Sequence, residues 1–484
     1  MPYFNANNKL IERPGNYIVT DIHIIPYHRE GDEGIYRQII TDQVIEFSIY
    51  ESIENNFLSG DMSIVDGVNL VSMLPLTGFE RLEFKLYTPG EEKGYDFSVK
   101  TGHPMMITGI RNKTMLKDRI QSYTLEFCSM ERVKNDLTRV ARPFEGTTDE
   151  IILDVCRTEL DTRKNLIIEP SKSIAKYVAP RVKPIEAIRE VGKLSESKNF
   201  ENAGYLFYET GVGFHFKSYE SMFCDASGTA RPVRARYSPK IVAYRDDKGD
   251  RDIVNSLQSA SAFRIKSQFN TLRHLSAGTF ASRMVIHDSF NKTFEEIDFD
   301  YHKQYEKENH LEGDDQGQKR GDNGVVPFFN FAQGKTISDF KEGTIHFQSF
   351  TDKVHNDYDF LGRNSNVTQK RISQKAALSS IILELDLPGF TGISVGEVVY
   401  FTHPSFKSLK NPSDKDFDPY LTGRYLISSI RHKVNLKLTK KHTMLVELVK
   451  DSFNTSLPED EVDLFTGQEN EEGYSYLQYN LDDA

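Results

Sequence analysis

Two periods of hydrophobic and polar positions alternate along this chain of 484 residues, and the switches between them mark out its parts. From 16 to 136 the apolar positions recur at every second residue. "ERLEFKLYTPG" sets Leu82, Phe84 and Leu86 against charged neighbours before a Pro-Gly turn, and "SYTLEFCSM" alternates again with Tyr123, Leu125 and Phe127. That period turns one set of side chains toward a core and the other toward water. "NYIVTDIHII" and "DQVIEFSIYESI" add the β-branched and aromatic residues that suit strands. The segment predicts a small antiparallel β-domain.

The period then lengthens. "EGTTDEIILDVCRTEL" offers Thr147 as an N-cap with Glu150 three residues on, a capping box, followed by the helical stripe Ile151, Ile152, Val155 and Leu160. "KPIEAIREVGKL" opens on Pro184 in the first turn, where a missing N–H costs least, and carries Ile185, Ile188, Val191 and Leu194 on one face. "GYLFYETGVGFHFKS" reads as a hairpin of two aromatic strands. Strand and helix signals mix from 240 to 302, and the polar, turn-rich stretch 303–325 predicts a surface loop or linker. Farther on, "NVTQKRISQKAALSSI" reads as a helix. "IILELDLPG", "VGEVVYFT", "GRYLISSIRHKV" and "HTMLVELV" read as strands.

The two β-rich regions echo each other. "LPLTG" at 74–78, "YTP" at 87–89, "ITGIRNK" at 107–113 and "LEF" at 125–127 return in the same order. Their echoes are "LPGFTG" at 387–392, "FTHP" at 401–404, "ISSIRHK" at 427–433 and "VEL" at 446–448. The spacing between copies grows only where a turn could absorb an insertion, so the pattern predicts a duplicated β-domain. Within each seven-residue copy, alternation puts the first Ile with the Arg and Lys on one face and the second Ile on the other. Arg111, Lys113, Arg431 and Lys433 are then either solvated strand ends or parts of a subunit contact placed equivalently in both copies. Exposed charge is the norm, while interfaces enrich Arg.

Composition narrows the classes. A prior of about 150 residues per domain gives roughly three domains. The 32 Phe and 23 Tyr lean toward β-structure. Cys128, Cys156 and Cys224 are too few and scattered for a disulfide framework or a Cys-based zinc site, and their apolar flanks suggest buried thiols. The first residues show no apolar leader core, and no apolar run is long enough to span a bilayer. The expectation is a chain made in a cytoplasm, without stable membrane insertion. Most of the net charge of −11 sits in 455–484, which holds nine acids and no Lys or Arg. No concentrated basic face for nucleic acid is present.

The run "IYESIENNFLSGDMSIVDGVNLVSMLPLTGFERLEF" resembles a pattern of tailed-phage baseplate hub proteins. The matching positions are Ile49, Glu51, Gly60, Met62, Ile64, Asp66, Asn69, Leu70, Leu74, Pro75, Gly78 and Glu80. "GYLFYETGVGFHFKSYESMF" resembles that family's central hairpin, and "LPGFTGISVGEVVYFTHPS" with "DPYLTGRYLISSIRHKV" resembles its second barrel. The resemblance covers most of 40–450 and departs at 303–325 and in the acidic tail. It implies an α+β, mainly β, fold with two similar antiparallel β-barrel, tail-tube-like domains, an α/β domain between them and an extended acidic C-terminal arm. The boundaries are 1–136 for the first barrel, 137–365 for the middle domain, 366–454 for the second barrel and 455–484 for the arm. Strands from 215–265 are open to joining the second barrel.

What the resemblance implies about function is a structural hub of a contractile tail. Three chains form a homotrimeric, pseudo-sixfold ring joining a hexameric tail tube to a trimeric central spike, among surrounding baseplate proteins. DNA passes through the axial channel without specific binding, and the chain resides in the virion tail baseplate. The alternative is a β-rich carbohydrate-binding or glycan-hydrolysing tail protein.

Chemistry-bearing motifs do not compete strongly. "GVG" at 211–213 sits in a hairpin turn with no helix start after it, and His287-Asp288 alternate across a strand. The Asp and Asn residues of "DDQGQKRGDNG" lack the spacing of a calcium loop. The expectation is no enzyme, no catalytic residue, no cofactor and no metal site. In the tail, Tyr474, Tyr476, Leu477 and Tyr479 suggest an arm that orders on the spike, against the plainer reading of a solubilising terminus.

Overall fold

The chain is described by a computed structural model that covers residues 11–453 apart from 12, 27–29, 32–33, 92, 201–202, 240–255, 289–291, 306, 313–334, 351–360, 406–416 and 419. Its first ladder follows the alternating pattern. β1 (Val44–Ser52), β2 (Ser59–Asp66), β3 (Arg81–Glu83), β4 (Met105–Lys117) and β5 (Ile120–Ser129) pair antiparallel in the order β1-β2-β5-β4-β3. Phe47, Met62, Ile64, Leu82, Phe84, Leu125 and Phe127 are buried in one core beneath it. Phe84 meets Phe47, Phe97 and Phe127 edge-on, at 5.1, 5.1 and 6.1 Å between centroids.

Several positions of the resembling run have a local physical reason here. A Cβ on Gly60 would lie 2.3 Å from the Phe127 ring, so only glycine fits. The buried Glu80 carboxylate folds back onto its own turn, accepting from the Thr77 N–H at 2.7 Å, the Thr77 hydroxyl at 2.9 Å and the Gly78 N–H at 2.9 Å. Gly78 takes a φ of 95, open to glycine at little cost.

The middle region begins with α1 (Met130–Leu137) and α2 (Thr148–Asp154), where the Thr147–Glu150 capping box is formed. It continues through α3 (Pro184–Leu194), which has Pro in its first turn, and the hairpin β6 (Tyr205–Thr210) and β7 (Gly213–Ser218). Ile151, Ile152, Val155, Leu160, Ile188 and Val191 pack with Phe214 and Phe216 in a separate core.

β8 (Arg236–Pro239), β9 (Ser259–Ala260) and β10 (Ala262–Ser267) belong to the second β-unit. Between them and the rest of that unit lie α4 (Thr271–Ala277), a sheet of β11 (Ala281–Asp288), β12 (Thr293–Asp300) and β13 (Ile345–Phe350), and α5 (Leu361–Leu378). β14 (Ile381–Pro388), β15 (Val398–Phe401), β16 (Gly423–Asn435) and β17 (Lys441–Lys450) complete the unit over a core that includes Leu383, Leu385, Phe401, Tyr425, Ile427 and Val446.

The order β10-β14-β17-β16 repeats β1-β2-β5-β4, antiparallel at each step. Ile107 faces Phe127 as Ile427 faces Leu448, and Ile110 faces Leu125 as Ile430 faces Val446. The seven-residue echo is one strand of a repeated hairpin. The expected split of its isoleucines onto opposite faces does not hold. A bulge after Ile107, matched by one after Ile427, shifts the phase of each strand. Ile427 and Ile430 therefore share one core, and Ile107 and Ile110 share the other.

Neither repeat closes into a barrel by an uninterrupted ladder among the described residues. In the second, β10 returns toward β8 through β9, which pairs parallel with β8. The two repeats are instead fused in one sheet, joined where β16 pairs with β1.

The reading of 303–325 as a surface loop fails at its start. Glu308, Leu311 and Glu312 are buried. Glu312 accepts from Lys450 Nζ and from the Arg424 N–H, each at 2.7 Å, and the His310 ring meets Asp451 at 2.9 Å. Polar composition suggested exposure, whereas these groups are buried because each has a partner. The segment from 313 and the whole of 455–484, with Tyr474, Tyr476, Leu477 and Tyr479, lie outside the described residues. Cys128, Cys156 and Cys224 are free and buried.

Candidate assembly interface

The joint between the repeats is the feature on which an assembly can be built. β16 and β1 run antiparallel from the pair Ser429–Ser52 to the pair Asn435–Glu46 without a break in register. Each end sinks an apolar residue into the opposite unit. Val434 of β16 lies fully buried in the first core, and Ile53, just past β1, is buried in the second. Backbone bonds extend the joint at both ends, from the Ile53 N–H to Ser428 O and from the Leu436 N–H to Ile45 O.

Sequence-selected charges sit along it. The Arg431 guanidinium lies 5.4 Å over the Tyr50 ring and donates to Ser48 Oγ, and Lys433 pairs with Glu46 at 3.1 Å. Arg111, the counterpart of Arg431, instead pairs with Glu126 of its own hairpin at 2.8 Å and is largely exposed, as is Lys113. The four residues are thus split between an internal joint and a strand edge that pairs with no further strand among the described residues.

Buried polar groups lock the units together, and alternation alone did not single them out. Glu51 is buried at the meeting of three parts, accepting from the Gly211 N–H at 2.9 Å and the Val395 N–H at 3.3 Å. Burial pushes its carboxyl up to about 7, against the opposing pull of Tyr95 and those two amides. Inside the second unit, His432 of β16 and His442 of β17, both fully buried, share one hydrogen bond of 3.0 Å, and burial holds His432 down at about 3. Thr88 and Thr391 exchange bonds across the units, each backbone N–H reaching the other's hydroxyl at 2.9 and 3.0 Å.

A second lock ties the first unit to the middle region. Lys164 Nζ lies 2.8 Å from Glu131 of α1 and 2.5 Å from Glu209 of β6, with all three side chains buried. Glu209 also accepts from the Ser129 hydroxyl and the Leu58 N–H. Burial raises Glu209, whereas Lys164 outweighs burial at Glu131 and holds it below the ordinary carboxylate range.

Two cavities among the described residues differ in room and in acid groups. Glu220, Glu308, His310 and Asp451 converge on a cavity of about 30 Å³, space for water and not for a sugar ring. A groove of about 420 Å³ is lined by Leu272, Leu275, Phe280, Ile337 and Phe340, with no carboxylate among the described lining residues.

No family model matches the sequence, and no curated protein matches it. The chain is similar in structure to phage tail proteins. A tail protein from Neisseria meningitidis MC58 aligns at TM-score 0.47 and 10% identity, over 90% of this chain and 97% of that one. The 43 kDa tail protein of prophage MuSo2 from Shewanella oneidensis gives TM-score 0.47 and 10% identity, over 90% and 100%. An E. coli type VI secretion component, described as similar to T4 tail proteins gp27 and gp5, gives 0.39 and 7%, over 86% and 75%.

Proposed function

We propose that this chain is a structural hub of a contractile phage tail baseplate. Three copies close into a ring that joins a hexameric tube to a trimeric spike and leaves an axial channel for DNA. The observation that carries this is the internal repeat: β10-β14-β17-β16 duplicates β1-β2-β5-β4, and the two repeats are joined edge to edge by strand pairing. A trimer of ordinary subunits offers three copies of any surface. A trimer of two-repeat subunits offers six similar ones, which is what a threefold-to-sixfold adaptor requires. The resembling run around Gly60, Gly78 and Glu80 supports the same reading.

In this reading the chain acts by shape and binds no substrate. Arg111 and Lys113 belong to the contact between copies, and Arg431 and Lys433 to its internal counterpart. The acidic arm 455–484 reaches for the spike through Tyr474, Tyr476, Leu477 and Tyr479, while the tube and neighbouring baseplate proteins pack around the ring.

The test is the solution mass across a concentration series, followed by imaging of the particle end-on. A mass of three times 55.5 kDa and a ring with an open axis support the hub. A monomer up to the solubility limit overturns it.

A further inference from the structure

We infer that β4 of one copy pairs antiparallel with β10 of the next, with Arg111 opposite Ser267 and Met115 opposite Phe263. The inference rests on the ring proposed above and specifies its joint, starting from the joint the chain already makes with itself. There, the outer edge of β16 meets the outer edge of β1, with Arg431 opposite Tyr50 and Val434 opposite Phe47. The repeat counterparts of those strands are β4 and β10. Past Ile107, β4 pairs only with β5 among the described residues, and β10 pairs only with β14. The chain thus makes one such joint and holds the two halves of a second, facing nothing described.

The ladders inside each repeat transfer the register. Phe263 stands opposite Leu385 as Phe47 stands opposite Met62, and Ser267 opposite Ile382 as Tyr50 opposite Ser59. On the other half, Arg111 stands opposite Thr124 as Arg431 opposite Leu445, and Met115 opposite Gln121 as Val434 opposite His442. Both open strands depart from their counterparts in the same way. β4 carries one extra residue between Arg111 and Thr114, where Asn112 takes a φ of 53, and β10 carries one extra between Ile265 and Ser267. The two insertions fall opposite each other, Asn112 against Lys266, so the strands match in length although neither matches its own counterpart.

Exposure and charge agree. Val434 is fully buried in the first core, whereas Met115 in the matching place is 74% exposed. Phe47 and Ile49 are fully buried, whereas Phe263 and Ile265 are only partly covered by their own core. In this register Lys113 faces Ile265 and Thr114 faces Arg264, so no like charges stand directly opposite. The cations along both edges, Arg111, Lys113, Arg264 and Lys266, guard them against indiscriminate strand pairing.

The test is a disulfide at one predicted pair, Thr114→Cys with Arg264→Cys in one chain, oxidised in solution. Opposite residues fall within the roughly 7 Å between Cα atoms that a disulfide spans, and a two-residue offset does not. The native cysteines are buried and give little background. The expected result is a covalent trimer on a non-reducing gel, with little bond formation when Thr114→Cys is combined with Lys266→Cys. A protein that is trimeric by mass but forms no 114–264 bond, or forms it only within one chain, overturns this joint and leaves the hub standing. A protein that stays monomeric overturns both. Met115→Arg provides a second check: the folded monomer should keep its melting temperature, and the trimer should be lost.

Discussion

Lys164→Met should destabilise the protein by about 3–5 kcal/mol at pH 8, and by much less at pH 5. The substitution keeps the buried stem and removes the cation that holds Glu131 and Glu209 at 2.8 and 2.5 Å. Breaking a buried charge cluster by removing one partner costs about 3–5 kcal/mol, because the remaining charge has no compensation. Protonation sets a ceiling from another direction. Neutralising one carboxyl of ordinary pKa at pH 8 costs about 5 kcal/mol and at pH 5 under 1 kcal/mol, at 1.36 kcal/mol per pH unit. Without Lys164, burial and mutual repulsion raise the carboxyls in the folded state. The stability they hold below the unfolded value is lost as pH rises through the folded one, so the defect grows from acid to alkaline pH. Urea unfolding at the two pH values measures this. The chain has no Trp, so far-UV circular dichroism is the signal. Equal losses at both pH values, or a loss below about 1 kcal/mol at pH 8, would refute the reasoning. Adding Glu131→Gln and Glu209→Gln should recover most of the loss, since a neutral triad leaves no buried charge.

Other consequences can be measured on the same protein. Glu51, raised to about 7 in the fold, costs stability progressively as pH rises from its unfolded value through that point. Glu51→Gln should therefore gain about 3 kcal/mol on wild type between pH 4.5 and 8, and a flat difference would exclude a buried, raised carboxyl. Glu80 has the opposite sign: the amides of its turn hold it below the ordinary carboxylate range, so its contribution is present at neutral pH and lost on acidification. Glu80→Gln should cost about 1.5–3 kcal/mol at pH 7 and progressively less in acid. Gly60→Ala should cost about 1–3 kcal/mol by driving Phe127 off its rotamer, visible as a lowered melting temperature. On the hub reading, truncation after Asn454 should leave folding and the number of copies in the ring unchanged and weaken binding to the spike; unchanged spike affinity would remove the arm from that contact.

Much of the fold was legible in the sequence because it is written at short range. Alternation marked the strands around Leu82 and Leu125, the Thr147–Glu150 box marked the start of α2, and ordered echoes exposed the repeated hairpin. Each signal is carried by neighbours within a few residues, where backbone geometry and side-chain period decide. The isoleucines of the echo were misplaced because a bulge leaves no mark in composition: one extra residue opposite its partner turns the next side chain over. Glu308 and Glu312 were misread because a carboxylate looks solvated until its partner is known, and Lys450 lies far along the chain.

Long-range pairing was decided only in three dimensions. That Arg431 lies over Tyr50 while Arg111 lies on an open edge, that Glu51 meets amides from two other units, and that β16 joins β1 while β4 faces no described partner all depend on which strands become neighbours. The sequence determined that there are two similar β-units and where their strands run. Only the tertiary structure decided how they join, because strand edges carry the same backbone groups everywhere and side-chain pattern does not say which edge an edge will meet.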